Sequence, residues 1–126
     1  MLDIDLFKEY NDQFGHAVGD IVLKHLARTM LSMVREGDIV ARYGGEEIVV
    51  MLCGRNKKEA ALEAEAIRNA VKNNPVTLRR QTANVTVSIG IASYPEDSLP
   101  AEGLIRIADE RLYKAKAQGR DKVCPA

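Results

Sequence analysis

Apolar positions along the chain follow two periods. Val18, Val22, Leu26, Met30 and Met33 recur at helical spacing and predict a long helix over residues 17–34, stopped by Gly37. A shorter helix is expected before it, over 6–13, with Asp5 as its cap and Gly15 as its end. Ala60, Ala64, Ile67 and Val71 form the buried stripe of a third helix over 57–73, which Pro75 closes. A last helix over 101–117 turns Leu104, Ala108, Leu112 and Ala115 inward and ends at Gly119. Val85, Val87, Ile89 and Ile91 alternate with polar or small residues, the period of a strand with one more buried face. Residues 76–80 are expected to pair with the start of that strand. Residues 1–4 read as the end of a first strand, and 122–124 as a short final one.

The stretch 38–52, DIVARYGGEEIVVML, organises the rest. Gly44 and Gly45 separate two β-branched runs, which predicts a tight hairpin with positive φ at the turn. The run after the turn, Ile48 to Leu52, is apolar on both faces and is expected in the middle of a sheet. The resulting order is strand, two helices, hairpin, helix, strand, helix, strand. That is a mixed sheet covered by helices on one face.

Length and charge narrow the possible roles. A chain of 126 residues is one domain with room for a core. Its formal net charge of zero argues against a nucleic-acid polymer as partner and against a charge-bound membrane domain. No apolar run approaches the roughly 20 residues of a membrane span, and no signal peptide is evident. The two cysteines, Cys53 and Cys124, lack metal-ligand spacing. Cys53, following an apolar run, reads as a reduced core thiol, which fits a cytoplasmic setting.

Candidate chemistry clusters near the two ends of the hairpin and of the first strand. Asp3 and Asp5 close the first strand, and Glu46 and Glu47 sit on the turn. Converging carboxylates repel one another unless a cation joins them. With oxygen ligands only, that cation is a hard one, Mg²⁺ or Mn²⁺, and such ions serve phosphate chemistry. Phe7 and Lys8 lie in the first turn of the short helix, where free backbone N–H groups favour phosphate. Lys116 and Arg120, four apart at the end of the last helix, share a face. Asn11 and Asp20 are candidates for reading a base, since a carboxylate can accept from both N1–H and the 2-amine of guanine. His16 reads as structural. Neither a P-loop nor a dinucleotide fingerprint is present.

Taken together, LDIDLFKEYNDQFGHAVGD, ARYGGEEI, VTVSIGIA and ADERLYKAKAQGR resemble the GGDEF family, the catalytic domain of diguanylate cyclases, along nearly the whole chain. The resemblance implies an α+β fold with a ferredoxin-like, palm-type mixed sheet, similar to other nucleotidyl cyclase catalytic domains. It implies condensation of two GTP into cyclic di-GMP with release of pyrophosphate, in bacterial signalling. By position, Asp3 and Glu46 would hold the metals with the help of the Ile4 carbonyl, and Glu47 would be a further metal ligand or assist deprotonation of the 3′-hydroxyl. Gly45 would admit the nucleotide. Phe7, Lys8, Lys116 and Arg120 would contact phosphates, and Asn11 and Asp20 would bind guanine. Arg35 and Asp38, an R-x-x-D pair, match an inhibitory product site, although the supporting arginine of the third helix is Ala66 here.

The chain departs from the family pattern in three places. Ile48 stands where the signature usually has Phe, the usual N-terminal segment with D-x-L-T-G-L-x-N-R and a helix does not precede residue 1, and no sensory module is present. A longer protein with an N-terminal sensory or regulatory domain, and a homodimer for catalysis, are therefore expected. The alternative reading is a catalytically weak or inactive module that binds GTP or cyclic di-GMP.

Overall fold

A computed structural model describes residues 1–126. Strand β1 (Leu2–Ile4) is followed by helices α1 (Phe7–Phe14) and α2 (His16–Leu31). The hairpin β2 (Ile39–Gly44) and β3 (Glu47–Met51) leads into α3 (Lys57–Lys72). Then come β4 (Val76–Thr77), β5 (Thr82–Ala83), β6 (Val87–Gly90), α4 (Ala101–Ala117) and β7 (Val123–Cys124). Five strands form one sheet in the order β2-β3-β1-β6-β7. All neighbours are antiparallel except β6 and β7, which run parallel across the α4 crossover.

The periodic stripes read from the sequence are the buried ones. Val22, Leu26 and Met30 of α2 and Ala60, Ala64, Ile67 and Val71 of α3 join Leu2, Ile4, Ile48, Val87 and Ile89 in one apolar cluster. Helix α3 starts where it does because Asn56 accepts from the Glu59 amide while the Glu59 carboxylate accepts from the Asn56 amide, a capping box.

Four expectations are corrected. Helices cover both faces of the sheet, not one. Side chains alternate along β6, and Gly90 lies so close to α4 that a Cβ there would sit 2.0 Å from the Ala108 carbonyl oxygen, whereas Ile89 faces the α2–α3 cluster. Strand β3 is internal, but only Ile48 is buried; Val49 and Val50 are half-buried and Met51 is exposed, although Val50 packs against the edge of the apolar cluster. Residues 76–83 form their own two-stranded hairpin, closed by the Leu78 amide to the Gln81 carbonyl, and do not join β6. Cys53 is exposed, while Cys124 is buried.

Candidate active site

Sheet register decides where the carboxylates meet. Asp3 on the central strand lies opposite Glu47 on one side and Ser88 on the other, so all three share the face covered by α4. The hairpin pairs Gly44 with Glu47, leaving Gly45 and Glu46 as its two-residue tip. Gly45 alone carries the positive φ (38°) that the paired glycines suggested, and Arg42 Nε donates to its carbonyl at 2.9 Å. Last-turn Lys116 of α4 reaches across the sheet and its Nζ lies 3.0 Å from Asp3 Oδ2.

These residues enclose a polar pocket of about 160 Å³. Asp3, Ile4, Phe7, Lys8, Glu46, Lys116 and Arg120 line it, with Asp5 beside them; of the residues predicted for metal and phosphate, Glu47 is not among its walls. Only 4 % of Asp3 is exposed. Burial pushes its carboxyl above the ordinary carboxylate range; the Lys116 ammonium opposes that, and the charges of Glu46 and Glu47 add to it. Lys116 is the one protein cation paired with Asp3. The donor set is all oxygen and carries excess negative charge, which fits a hard divalent ion. The carboxylates do not, however, close into a ready-made group of three ligands.

A larger cavity of about 620 Å³ lies elsewhere, bounded by β3, α3, β6 and α4. Apolar side chains dominate its walls and no carboxylate lines it. Phosphate chemistry has nothing to work with there, so the small polar pocket is the candidate site.

The base-reading pair stands apart from that pocket, on α1 and α2. Asp20 is exposed on the first turns of α2. Asn11 Oδ1 is buried with no hydrogen-bond partner. It fits only because residue 19 is glycine, whose added Cβ would lie 2.0 Å from it. A glycine inside a helix is unfavourable by itself, and that is the one sequence signal that could have shown this close approach. His16, at the start of α2, is exposed.

Two further readings change. Asp5 does not cap α1: the N-cap position is Leu6, with no side-chain cap. Its carboxylate instead accepts from Thr86 Oγ1 (2.8 Å), Ser88 Oγ (2.6 Å) and the Asp121 amide (3.0 Å). Asp38 is not free to accept from a guanine. Both of its oxygens are taken, by the Arg35 and Cys53 amides and by a fork from Arg55, at 2.6–2.9 Å. Its side chain is fully covered, while the Arg35 side chain is 71 % exposed and touches Glu63. Arg55, which sequence reasoning missed, is the buried centre of this network.

An edge-to-centre carboxylate pocket on a β-α-β-β-α-β sheet, flanked by basic residues, is the architecture of a nucleotidyl cyclase domain. The comparisons make this specific. The family described as "Diguanylate cyclase, GGDEF domain" matches residues 1–122, and the chain belongs to it. Diguanylate cyclase A of Treponema denticola is 44% identical over 123 residues, which is 98% of this chain and 33% of that protein. The chain thus spans about a third of the length of that relative. Among solved structures, the GGDEF domain of YfiN from Pseudomonas aeruginosa superposes with a TM-score of 0.94 at 38% identity, covering 98% of this chain and 77% of that one. The GGDEF domain of DgcB from Caulobacter crescentus, solved in complex with c-di-GMP, gives 0.88 at 32% identity, covering 98% and 71%. No helix of the protein is long and apolar enough to cross a membrane.

Proposed function

We propose that this domain is a diguanylate cyclase acting on GTP, with Mg²⁺ or Mn²⁺ held by Asp3, Glu46, Glu47 and the Ile4 carbonyl. The observation that carries the reading is the convergence of acidic and basic candidates on a single polar pocket. When bound, the metal would neutralise phosphate charge and favour attack at phosphorus. Lys8, Lys116 and Arg120 supply positive charge for the triphosphate, and the Phe7 backbone lies in the first turn of α1, where its N–H is free for phosphate. Gly45 leaves the tip of the hairpin without a side chain for the nucleotide to clear. Asn11 and Asp20 hold the guanine. The 3′-hydroxyl of one GTP attacks the α-phosphorus of the other; an O3′–P bond forms, the bond to the β-phosphate oxygen breaks, and pyrophosphate leaves. Glu47, opposite Asp3 in the sheet, is the carboxylate this reading assigns to take the hydroxyl proton.

Each domain supplies one GTP, so two copies must face each other about a two-fold axis. Product formation should therefore rise more steeply than linearly with protein concentration. Incubation with GTP and Mg²⁺, followed by mass spectrometry for cyclic di-GMP over a concentration series, tests both statements. A specific activity independent of concentration in a monomer would defeat the two-copy mechanism.

A second reading is a GTP- or cyclic di-GMP-binding regulatory module with little or no turnover, within a longer, cytoplasmic sensor protein. Ile48 in place of the usual Phe favours it. Binding of GTP without product separates it from the first. For the inhibitory site, the exposed Arg35 guanidinium is the group offered to product, and Asp38 acts as the scaffold beneath it.

A further inference from the structure

The left-handed turn after α4 is held from inside the protein, by a buried residue at the wall of the polar pocket. Gly119, Arg120 and Asp121 have φ of 108°, 62° and 47° in succession. Two of the three carry side chains, for which this region is disfavoured. Such a run persists only where its surroundings fix it. The Arg120 amide donates to the Ala115 carbonyl at 3.0 Å, which secures the start of the turn to α4. The Asp121 carboxylate is paired with Arg68 and Lys72 of α3. Its amide, next to Arg120, donates to Asp5 Oδ2 at 3.0 Å.

We propose that Asp5 is a positioning residue: it clamps the turn at Asp121 and so aims Arg120 into the polar pocket. Asp5 is 4 % exposed, and its donors are two hydroxyls and one amide rather than a cation. Three donors consume most of the lone pairs of a carboxylate, which leaves Asp5 as scaffold rather than ligand. Thr86 and Ser88, beside and within β6, fix the carboxylate, and the Asp5 amide donates to the Thr86 carbonyl at 2.9 Å. The clamp therefore runs from β6 through Asp5 to the Asp121 backbone. Removing it frees the turn to leave the left-handed region and carries Arg120 away from Lys116 and the phosphate end.

The inference rests on the reading that Arg120 meets nucleotide phosphate, and the test separates the two. A non-hydrolysable GTP analogue with Mg²⁺ is titrated calorimetrically into wild type, Arg120→Ala, Asp5→Ala and the double variant. Backbone amide exchange is followed in the nucleotide-free proteins. Arg120→Ala is expected to weaken binding about tenfold. Asp5→Ala should weaken it by a similar factor, and the double variant should be no worse than either, because both act through one contact. Asp5→Asn should recover most of the affinity, since its amide oxygen can accept from Asp121 and Thr86 while its N–H donates to Ser88. In Asp5→Ala the Asp121 amide should exchange at least about tenfold faster, with α4 unchanged. Where Asp5→Ala does not fold, Asp5→Ser, too short to reach the Asp121 amide, takes its place. Wild-type affinity in Asp5→Ala, or losses that add in the double variant, overturns the positioning role. Equal binding by wild type and Arg120→Ala overturns the phosphate reading instead. An unchanged Asp121 exchange rate overturns the clamp irrespective of nucleotide.

Discussion

Two acidic centres of this domain are built in opposite ways. Around Asp38 every charge is answered within the fold: two amides and the Arg55 fork fill its carboxylate, Glu63 takes Arg55 and Arg35, and the Asp38 side chain is fully covered. Its carboxyl is held down at about 2, chiefly by the Arg35 amide, against the opposing effect of burial. Around Asp3 the reverse holds. Burial pushes its carboxyl up, Glu46 and Glu47 push it further, and one lysine is the sole ion-pair partner. A completed cluster contributes to holding the chain; an uncompleted one is the place where a ligand gains most from binding. The R-x-x-D pair and the GGEE turn look equally reactive in the sequence, and only the structure tells them apart.

The largest effect expected from breaking this contrast is at the turn. Glu46→Gln should reduce cyclic di-GMP formation by roughly 100-fold or more, because the proposed metal site loses one of its anionic ligands. Its melting temperature should match wild type, since Glu46 sits at the hairpin tip with no core role. Wild-type-like turnover would remove Glu46 from the metal site. Arg55→Ala should behave in the opposite sense. It leaves Asp38 covered and short of its fork, so thermal unfolding should fall by several degrees while GTP affinity stays unchanged. A melting curve that overlays wild type would show that the network is not structural.

Asp20→Ala is expected to be smaller, about a tenfold loss of GTP affinity with eroded preference over ATP. Asp20 is exposed, so part of its hydrogen bonding is already met by water. Unchanged selectivity in a competition titration would return Asp20 to the helix surface.

How far the sequence carries depends on the range over which residues act. Helix stripes and the hairpin are local patterns, and α3 and α4 begin where the spacing predicts. The pocket is also legible, because Asp3, Lys8, Glu46 and Arg120 belong to short motifs that one sheet brings together. What is lost are partnerships between distant segments with no periodic trace. Asp5 to Ser88 and Asp121, Arg55 to Asp38, and Asp97 gripped by Lys57 and Arg111 are all of this kind. The placement of α4 opposite α2 and α3 follows from which neighbours Gly90 and Ile89 meet, and alternation alone cannot say which face a helix takes.

The mildest test uses acid, and its sign follows from the direction of the Asp38 shift. The carboxyl ionises near 3.8 without partners and at about 2 in the fold. A group with a depressed folded value stabilises the fold fully above its unfolded pKa and loses that contribution as pH falls through the folded value. Stability measured by urea unfolding should therefore be independent of pH near neutrality as far as Asp38 is concerned, and decline between about pH 4 and about pH 2. In Asp38→Asn the neutral-pH stability should be lower and that acid decline shallower, because no proton remains to be taken up at this position. A decline of equal steepness in both proteins would assign the acid sensitivity to other carboxylates, with Asp97, also held below its ordinary range, first by the Arg111 guanidinium and then by Lys57, as the next to replace.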